Sequence, residues 1–279
     1  MSTAAVVLAT GNRPDIQVMA IGCLAHGLAH APGWRWCCYT DRPELYRMFA
    51  GQVDLLVPEP GELERGMGPQ RFFFRLKYQA LRRLAAHAPG HDLLYLDSDI
   101  AAAAGLEAVG DRVRQQPLMH APETTLGAMR RRSQRALRAQ LLGRTIADVA
   151  MTADVPMHNA GVVGLPAARA AGLIAAGEGL LDAMHADGIA HFLAEQFAWS
   201  AALHAAGAGI GSAPEFRHYF SNKEAWQEAI AQRVAAWAGT QAPLTALLDD
   251  LRQRPIALPI GVRRRKWQRV LAGWAGYTR

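Results

Sequence analysis

Apolar positions along this chain fall into two kinds of block. Short apolar runs closed by turn residues occupy residues 5–10, 34–40, 53–57 and 93–96 and predict buried strands. Between them, residues 15–29 and 72–87 carry spaced apolar positions, among them Leu76, Leu81 and Leu84, and predict helices; residues 45–49 predict a short one. Strands alternating with helices imply a mainly parallel sheet covered on both faces. Beyond Asp99 the pattern loosens. Residues 128–142 predict a strongly basic helix with Arg130, Arg131, Arg132, Arg135 and Arg138. Residues 160–165 read as a strand ended by Pro166, and residues 167–185, 189–206 and 224–238 as helices. With no internal repeat and no long linker, the simplest division is a main domain over 1–235 and an appendage over 236–279.

Composition narrows the class. A chain of 279 residues that is 51% hydrophobic and 19% charged can bury a sizeable core. A net charge of +6 and a pI near 9.6 favour an anionic partner. Nearly all the cations are arginine. The lysines are Lys77, Lys223 and Lys266, and that rarity draws attention to each. Cys23, Cys37 and Cys38 form no metal-ligand spacing and read as buried free thiols in a reducing compartment. The N-terminus lacks a signal-peptide pattern and no apolar run reaches 18 residues, so a cytoplasmic location is expected.

The chemistry concentrates at Leu93-Leu94-Tyr95-Leu96-Asp97-Ser98-Asp99. A buried strand here delivers two carboxylates to the rim of the sheet, where open α/β folds bind ligands. Residues i and i+2 of an extended chain project the same way, so Asp97 and Asp99 can share one divalent cation. A hard cation with few protein ligands keeps positions open for substrate phosphates, which suggests an enzyme acting on a nucleoside diphosphate compound. The phosphate-cradling G-x-x-x-x-G-K-[ST] loop is absent, and no Ser-His-Asp order stands out.

Taken in order, the segments over roughly residues 5 to 226 resemble a GT-A fold glycosyltransferase, most like family 8. Leu8-Ala9-Thr10-Gly11 matches the place where that family seats the nucleoside, implying donor contacts from Ala9 and Thr10. The segment from Arg71 to Lys77 matches its helix with a donor-contacting lysine; Arg71 and Arg75, near the helix start, could also face the donor. Asp97-Ser98-Asp99 matches its metal motif, and His158-Asn159-Ala160-Gly161-Val162 its Asn-Ala/Ser-Gly strand. Glu195-Gln196 falls where the family has Asp-Gln, and His218 to Trp226 resembles its closing His…Lys…Trp segment. Ser221 stands where the family has glycine, and Lys223 comes one residue early.

The resemblance implies a metal-dependent transferase using a sugar nucleotide, a UDP-sugar by expectation, with retention of configuration. Asp97, Asp99 and His218 are the expected ligands of Mn2+ or Mg2+; two oxygens and an imidazole suit either ion. Lys77 and Lys223 are expected on donor phosphate or sugar oxygens. Asn159, Glu195 and Gln196 are the expected catalytic-centre residues. Ser98, Asn159, Gly161 and Glu195 are expected to contact the donor as well, and Gly161 permits close backbone approach. The acceptor is expected to be a glycan or a lipid-linked species.

Two alternatives come from other classes. A haloacid dehalogenase-type phosphohydrolase also places Asp-x-Asp after a strand, but after its first; here three strands precede the motif. A non-catalytic membrane- or nucleic-acid-binding protein would use the arginine-rich segments. The tail Arg263-Arg264-Arg265-Lys266-Trp267, with Trp274 beyond, reads as a basic aromatic helix suited to an anionic membrane face. No nucleic-acid recognition motif accompanies it.

Overall fold

The computed structural model describes residues 2–261, so the basic aromatic tail lies outside the described residues. The first half of the chain forms β1 (Thr3–Leu8), α1 (Pro14–His30), β2 (Arg35–Tyr39), β3 (Val53–Leu56), α2 (Glu62–Met67), α3 (Leu76–His87) and β4 (Asp92–Leu96). Then follow β5 (Ile100–Ala102), α4 (Leu106–Gln115), β6 (Leu118–Thr125), α5 (Arg132–Leu141) and a small hairpin, β7 (Thr145–Ile146) with β8 (Val149–Ala150). The remainder is β9 (Pro156–Leu165), α6 (Ala170–Ala186), α7 (Ala194–Ala205), β10 (Gly211–Ser212), β11 (Phe216–His218), α8 (Lys223–Ala238) and α9 (Leu244–Gln253).

Seven strands make the central sheet in the order β10-β6-β9-β4-β1-β2-β3. It is parallel except for β9, which runs against both β4 and β6. This is the expected mainly parallel α/β architecture. Every residue of β1 is buried, because helices cover both faces. The strand's two-residue period sorts its side chains. Ala4, Val6 and Leu8 meet the core beneath α3, α6 and α7, while Ala5 and Val7 meet the core beneath α1, α4 and α9. The same alternation separates the adjacent thiols. Cys37 faces the first layer and Cys38 the second, and all three cysteines are free and buried.

Chain order places the switch point of the sheet between β1 and β4. From β1 the chain moves outward through β2 and β3, then returns to pair β4 on the other side of β1. Ligand crevices of open α/β sheets form at such a point, outside the carboxyl ends of the strands. Thr10 and Asp97 both lie there.

Some elements differ from the sequence expectation. Strand β6, Leu-Met-His-Ala-Pro-Glu-Thr-Thr, has no continuous apolar run, because it is bulged against β9 and partly exposed. The helix expected over 189–206 begins only at Ala194; before it, the His191 ring accepts the Leu193 N–H at 3.1 Å. The division expected at 235 falls inside α8. Helix α9 then buries Leu247, Leu248 and Leu251 against the core, and Arg252 Nε donates to the Ala29 carbonyl at 2.9 Å. Among the described residues no helix is long and apolar enough to cross a membrane.

Helix α1 carries a buried ionisable group, His26, whose Nδ1 lies 2.7 Å from the Gly22 carbonyl and donates to it in the neutral ring. Burial pushes its pKa down to about 4. An unfolded histidine takes its proton near pH 6.5, so between the two values the unfolded chain binds more protons. Stability is therefore expected to fall as pH drops from about 6.5 towards 4, by up to about 3 kcal/mol from this group. Denaturant titrations of wild type and His26→Leu across that range check it: the difference between the two curves should slope, and a constant difference would remove His26 as the cause.

Candidate active site

Strand β4 ends at Leu96, and Asp97 continues its line, its N–H donating to the Gly161 carbonyl at 2.8 Å. Tyr95, two residues earlier on the same side, donates its hydroxyl to Asp97 Oδ1 at 2.8 Å. Lys77 rises from the first turn of α3, with Nζ 3.1 Å from Asp97 Oδ1, 3.3 Å from Glu195 Oε2 and 3.0 Å from the Ala160 carbonyl. Burial alone would lower the lysine's pKa, but Asp97 and Glu195 outweigh it and hold the ammonium above its usual range. One cation thus serves two carboxylates. Glu195 shows the shortfall: burial, only partly offset by Lys77 and reinforced by Asp97, pushes it up to about 7.

Asp99, only 4% exposed, receives the other half of the site. His218 Nε2 lies 3.2 Å from Oδ1, and Lys223 Nζ lies 2.7 Å from Oδ2. Burial works against its ionisation, yet the contacts from His218 and Lys223 prevail and hold the carboxyl well below the usual range. The segment carrying His218 and Lys223 is pinned by Tyr219 stacked on Trp226, with ring centroids 4.5 Å apart and planes 6° apart. Such a pair contributes about 0.5–1.5 kcal/mol beyond its buried area. Ser221 and the early Lys223, the two departures from the family pattern, leave both His218 and Lys223 on Asp99.

Asp97, Asp99 and His218 each bring one ligand atom within 4.8 Å of the others, a group able to hold a metal ion. Asn159 prepares the imidazole for that role. Its Oδ1 lies 2.9 Å from His218 Nδ1, which donates to it, so Nε2 is the nitrogen presented to Asp99 and the one that would bind a metal on giving up its proton. The same oxygen accepts the Gly161 N–H at 2.9 Å, and Asn159 Nδ2 donates to Glu123 at 3.1 Å. In this state the amide expected to read sugar hydroxyls orients a metal-ligand candidate.

Gly161 has a related cause. A Cβ built there would stand 2.6 Å from His218 Nδ1 and 2.7 Å from Cε1. The position is small because the imidazole lies against the backbone. Gly161→Ala is expected to displace His218 and weaken divalent-metal affinity about 10- to 100-fold, the range for losing support of a ligand. Calorimetric titration with Mn2+ checks this, and an unchanged affinity would show that the ring is not held by that contact.

The other expected residues sort as follows. Ala9 and Thr10 lie buried just past the end of β1, Ala9 donating its N–H to the Tyr39 carbonyl at 3.0 Å. Ser98 joins the two carboxylates, and its carbonyl accepts the Tyr219 hydroxyl at 3.4 Å. Gln196 follows Glu195 on α7; its Nε2 and Glu195 Oε1 are both buried without a hydrogen-bond partner. Arg71 is exposed, at a φ of 51° in the turn before α3. Arg75 turns away from the site. It bonds Glu178 and Asp182 on α6, each at 2.8 Å, and lines a polar crevice of about 350 Å³ between α2, α3 and α6 whose walls pair their own charges. Tyr95, Glu123 and His120 were not singled out from sequence. Tyr95 was legible from its i, i+2 relation to Asp97. His120, packed edge-on to His218 with centroids 5.4 Å apart, carried no local signal.

A second group, Cys37, Asp54 and His87, also lies within metal reach. Its Asp54 Oδ2 already takes Arg35 Nε and His87 Nε2, each at 2.8 Å, and burial pushes the Cys37 thiol up to about 12. That arrangement is a surface ion-pair cluster over a buried thiol.

No protein-family model matches the sequence, and no curated protein is significantly similar to it. Solved structures do resemble the fold. Apo mouse xyloside xylosyltransferase 1 superposes with a TM-score of 0.50 at 11% identity, over 76% of this chain and 85% of that one. The galactosyltransferase LgtC, in complex with donor and acceptor sugar analogs, gives 0.47 at 15% identity, over 75% of this chain and 73% of its own. The mostly parallel seven-stranded sheet, flanked by helices and matched by the xylosyltransferase, is that of the GT-A glycosyltransferases.

Proposed function

We propose that this chain is a metal-dependent glycosyltransferase that moves a sugar from a nucleoside-diphosphate sugar to a glycan or lipid-linked acceptor. The observation that carries the reading is the convergence of Asp97, Asp99 and His218 at the switch point of a GT-A sheet, with Lys77 and Lys223 on the two carboxylates. A UDP-sugar, retention of configuration and membership of family 8 belong to the same proposal and rest on the ordered motifs. A cytoplasmic location is proposed from the buried free thiols, and contact with the inner membrane face from the basic aromatic tail.

The donor set suits Mn2+ or Mg2+, which when bound would stabilise charge on the leaving diphosphate as a Lewis acid. The chain's own residues prepare for that charge. Lys77 fixes Asp97 in place. Asn159 fixes the His218 tautomer. Lys223, about half exposed, is positioned to pass its charge from Asp99 to a phosphate oxygen. The unpartnered Glu195 Oε1 and Gln196 Nε2 place an acceptor and a donor on adjacent residues in a buried site. Sugar hydroxyls would satisfy both, and buried polar groups are rarely left unpaired.

A donor screen tests the proposal. Incubation with Mn2+ and a panel of sugar nucleotides is expected to release the nucleoside diphosphate slowly from one UDP-sugar. Release of inorganic phosphate instead would favour phosphohydrolase chemistry. No binding and no hydrolysis of any sugar nucleotide would overturn the reading.

A further inference from the structure

Residues 124–147 hold six arginines and no aspartate or glutamate. Arg144 bonds Asp187 at 2.7 Å. Arg130, Arg131, Arg132, Arg135 and Arg138 have no carboxylate partner among the described residues. Elsewhere most arginines do, as at Arg35, Arg75, Arg112, Arg233 and Arg252. High arginine content alone therefore does not explain the block. Nor does packing. Helix α5 is held by Gln134, Leu137 and Leu141, whereas Arg130, Arg131, Arg132 and Arg135 are exposed. At 100° per residue, Arg131, Arg135 and Arg138 share one stripe beside that buried one.

The position of the block gives it a direction. β6 runs antiparallel to β9, and β9 antiparallel to β4, so β6 and β4 end at the same edge of the sheet. The 126–155 connection leaves β6 at that edge, where Asp97 follows β4. Apolar side chains flank the arginines. The His191 ring hydrogen-bonds the backbone at Ser133 in the first turn of α5, and Phe192, stacked on that ring, is 60% exposed. At the other end of α5, Leu142 is 37% exposed.

We infer that α5 and its flanks form a docking surface for an anionic lipid bilayer, which brings the Asp97–Asp99 edge of the sheet to the membrane. Unpaired arginines beside isolated apolar side chains suit a headgroup boundary, where cations meet anionic lipid and apolar groups enter the acyl region. A single-stranded polynucleotide would call for several stacking aromatics among the cations; residues 124–147 contain none, and the flanks of α5 add only His191 and Phe192, stacked on each other. The inference does not depend on the reaction catalysed.

Flotation of the full chain with phosphatidylcholine vesicles containing 30% phosphatidylglycerol tests this, against a variant with the exposed Arg130, Arg131, Arg132 and Arg135 all changed to Gln. Each arginine near an anionic surface is expected to change the partition coefficient about fivefold, so the variant should bind about 600-fold more weakly. Its melting temperature should match wild type, since none of these side chains is needed for packing. Wild-type binding should vanish on pure phosphatidylcholine and weaken as salt rises. A second full-length variant, with Arg263, Arg264, Arg265 and Lys266 changed to Gln, separates the tail. Loss of binding there with full binding in the α5 variant would overturn the inference. So would absence of wild-type flotation at low salt, or tighter binding to single-stranded DNA than to the vesicles.

Discussion

Asp99→Asn is expected to lower Mn2+-stimulated donor hydrolysis by about two to three orders of magnitude. Replacing an anionic ligand of the proposed metal by a neutral amide weakens the hold on the ion, and with it several kcal/mol of charge stabilisation at a reacting phosphate; each 1.4 kcal/mol is tenfold in rate. The effect should be specific to the site. Asparagine keeps the shape and one oxygen facing His218. Lys223, released from the pair, is half exposed and can return to water. The melting temperature should therefore move by only a few degrees, equivalent to about 1 kcal/mol. Calorimetry supplies the second readout: Mn2+ should no longer tighten UDP binding. Hydrolysis within a factor of a few of wild type, with Mn2+ still required, would remove Asp99 from the proposed metal site.

Lys77→Met is expected to reduce both stability and turnover. From sequence this lysine reads as a donor contact. The structure makes it the cation for two carboxylates, with its side chain 5% exposed and Glu195 3% exposed beside it. Breaking a buried ion pair by removing one partner costs about 3–5 kcal/mol, because the other charge stays uncompensated. Chemical denaturation should show that loss. Adding Glu195→Gln should recover much of it, since the double variant buries no unpaired charge at that position. Turnover should remain low in both, because Asp97 loses its anchor in each. A single variant as stable as wild type would mean that Lys77 does not bear the buried charge.

The residues that sequence located and those it did not differ in the range of their contacts. Strands β1 to β4 and helix α3 were legible because an apolar period of two or about 3.6 shows within a short window. The convergence of Asp97 and Asp99 followed from the same local rule, since both lie on one extended segment. The bulged, half-polar β6 and the two- and three-residue strands carry no such period. Arg75 shows the limit of motif reading: it lies two residues from Lys77, yet the helix turns it to the opposite face, where Glu178 and Asp182 claim it.

By itself, then, the amino-acid order determined a mainly parallel α/β sheet with a paired carboxylate at a strand end, and a short set of polar side chains expected around it. Tertiary structure decided what each of them does. Asn159 and His218 stand 59 residues apart, and only the antiparallel β9 beside β4, together with the pairing of β11 on β5, brings the amide to the imidazole and selects its tautomer. Gly161 owes its small size to that same ring. Lys77 became a buried shared counterion only when α7 brought Glu195 to it. These roles depend on distances and burial between remote segments, and a local pattern carries no record of either.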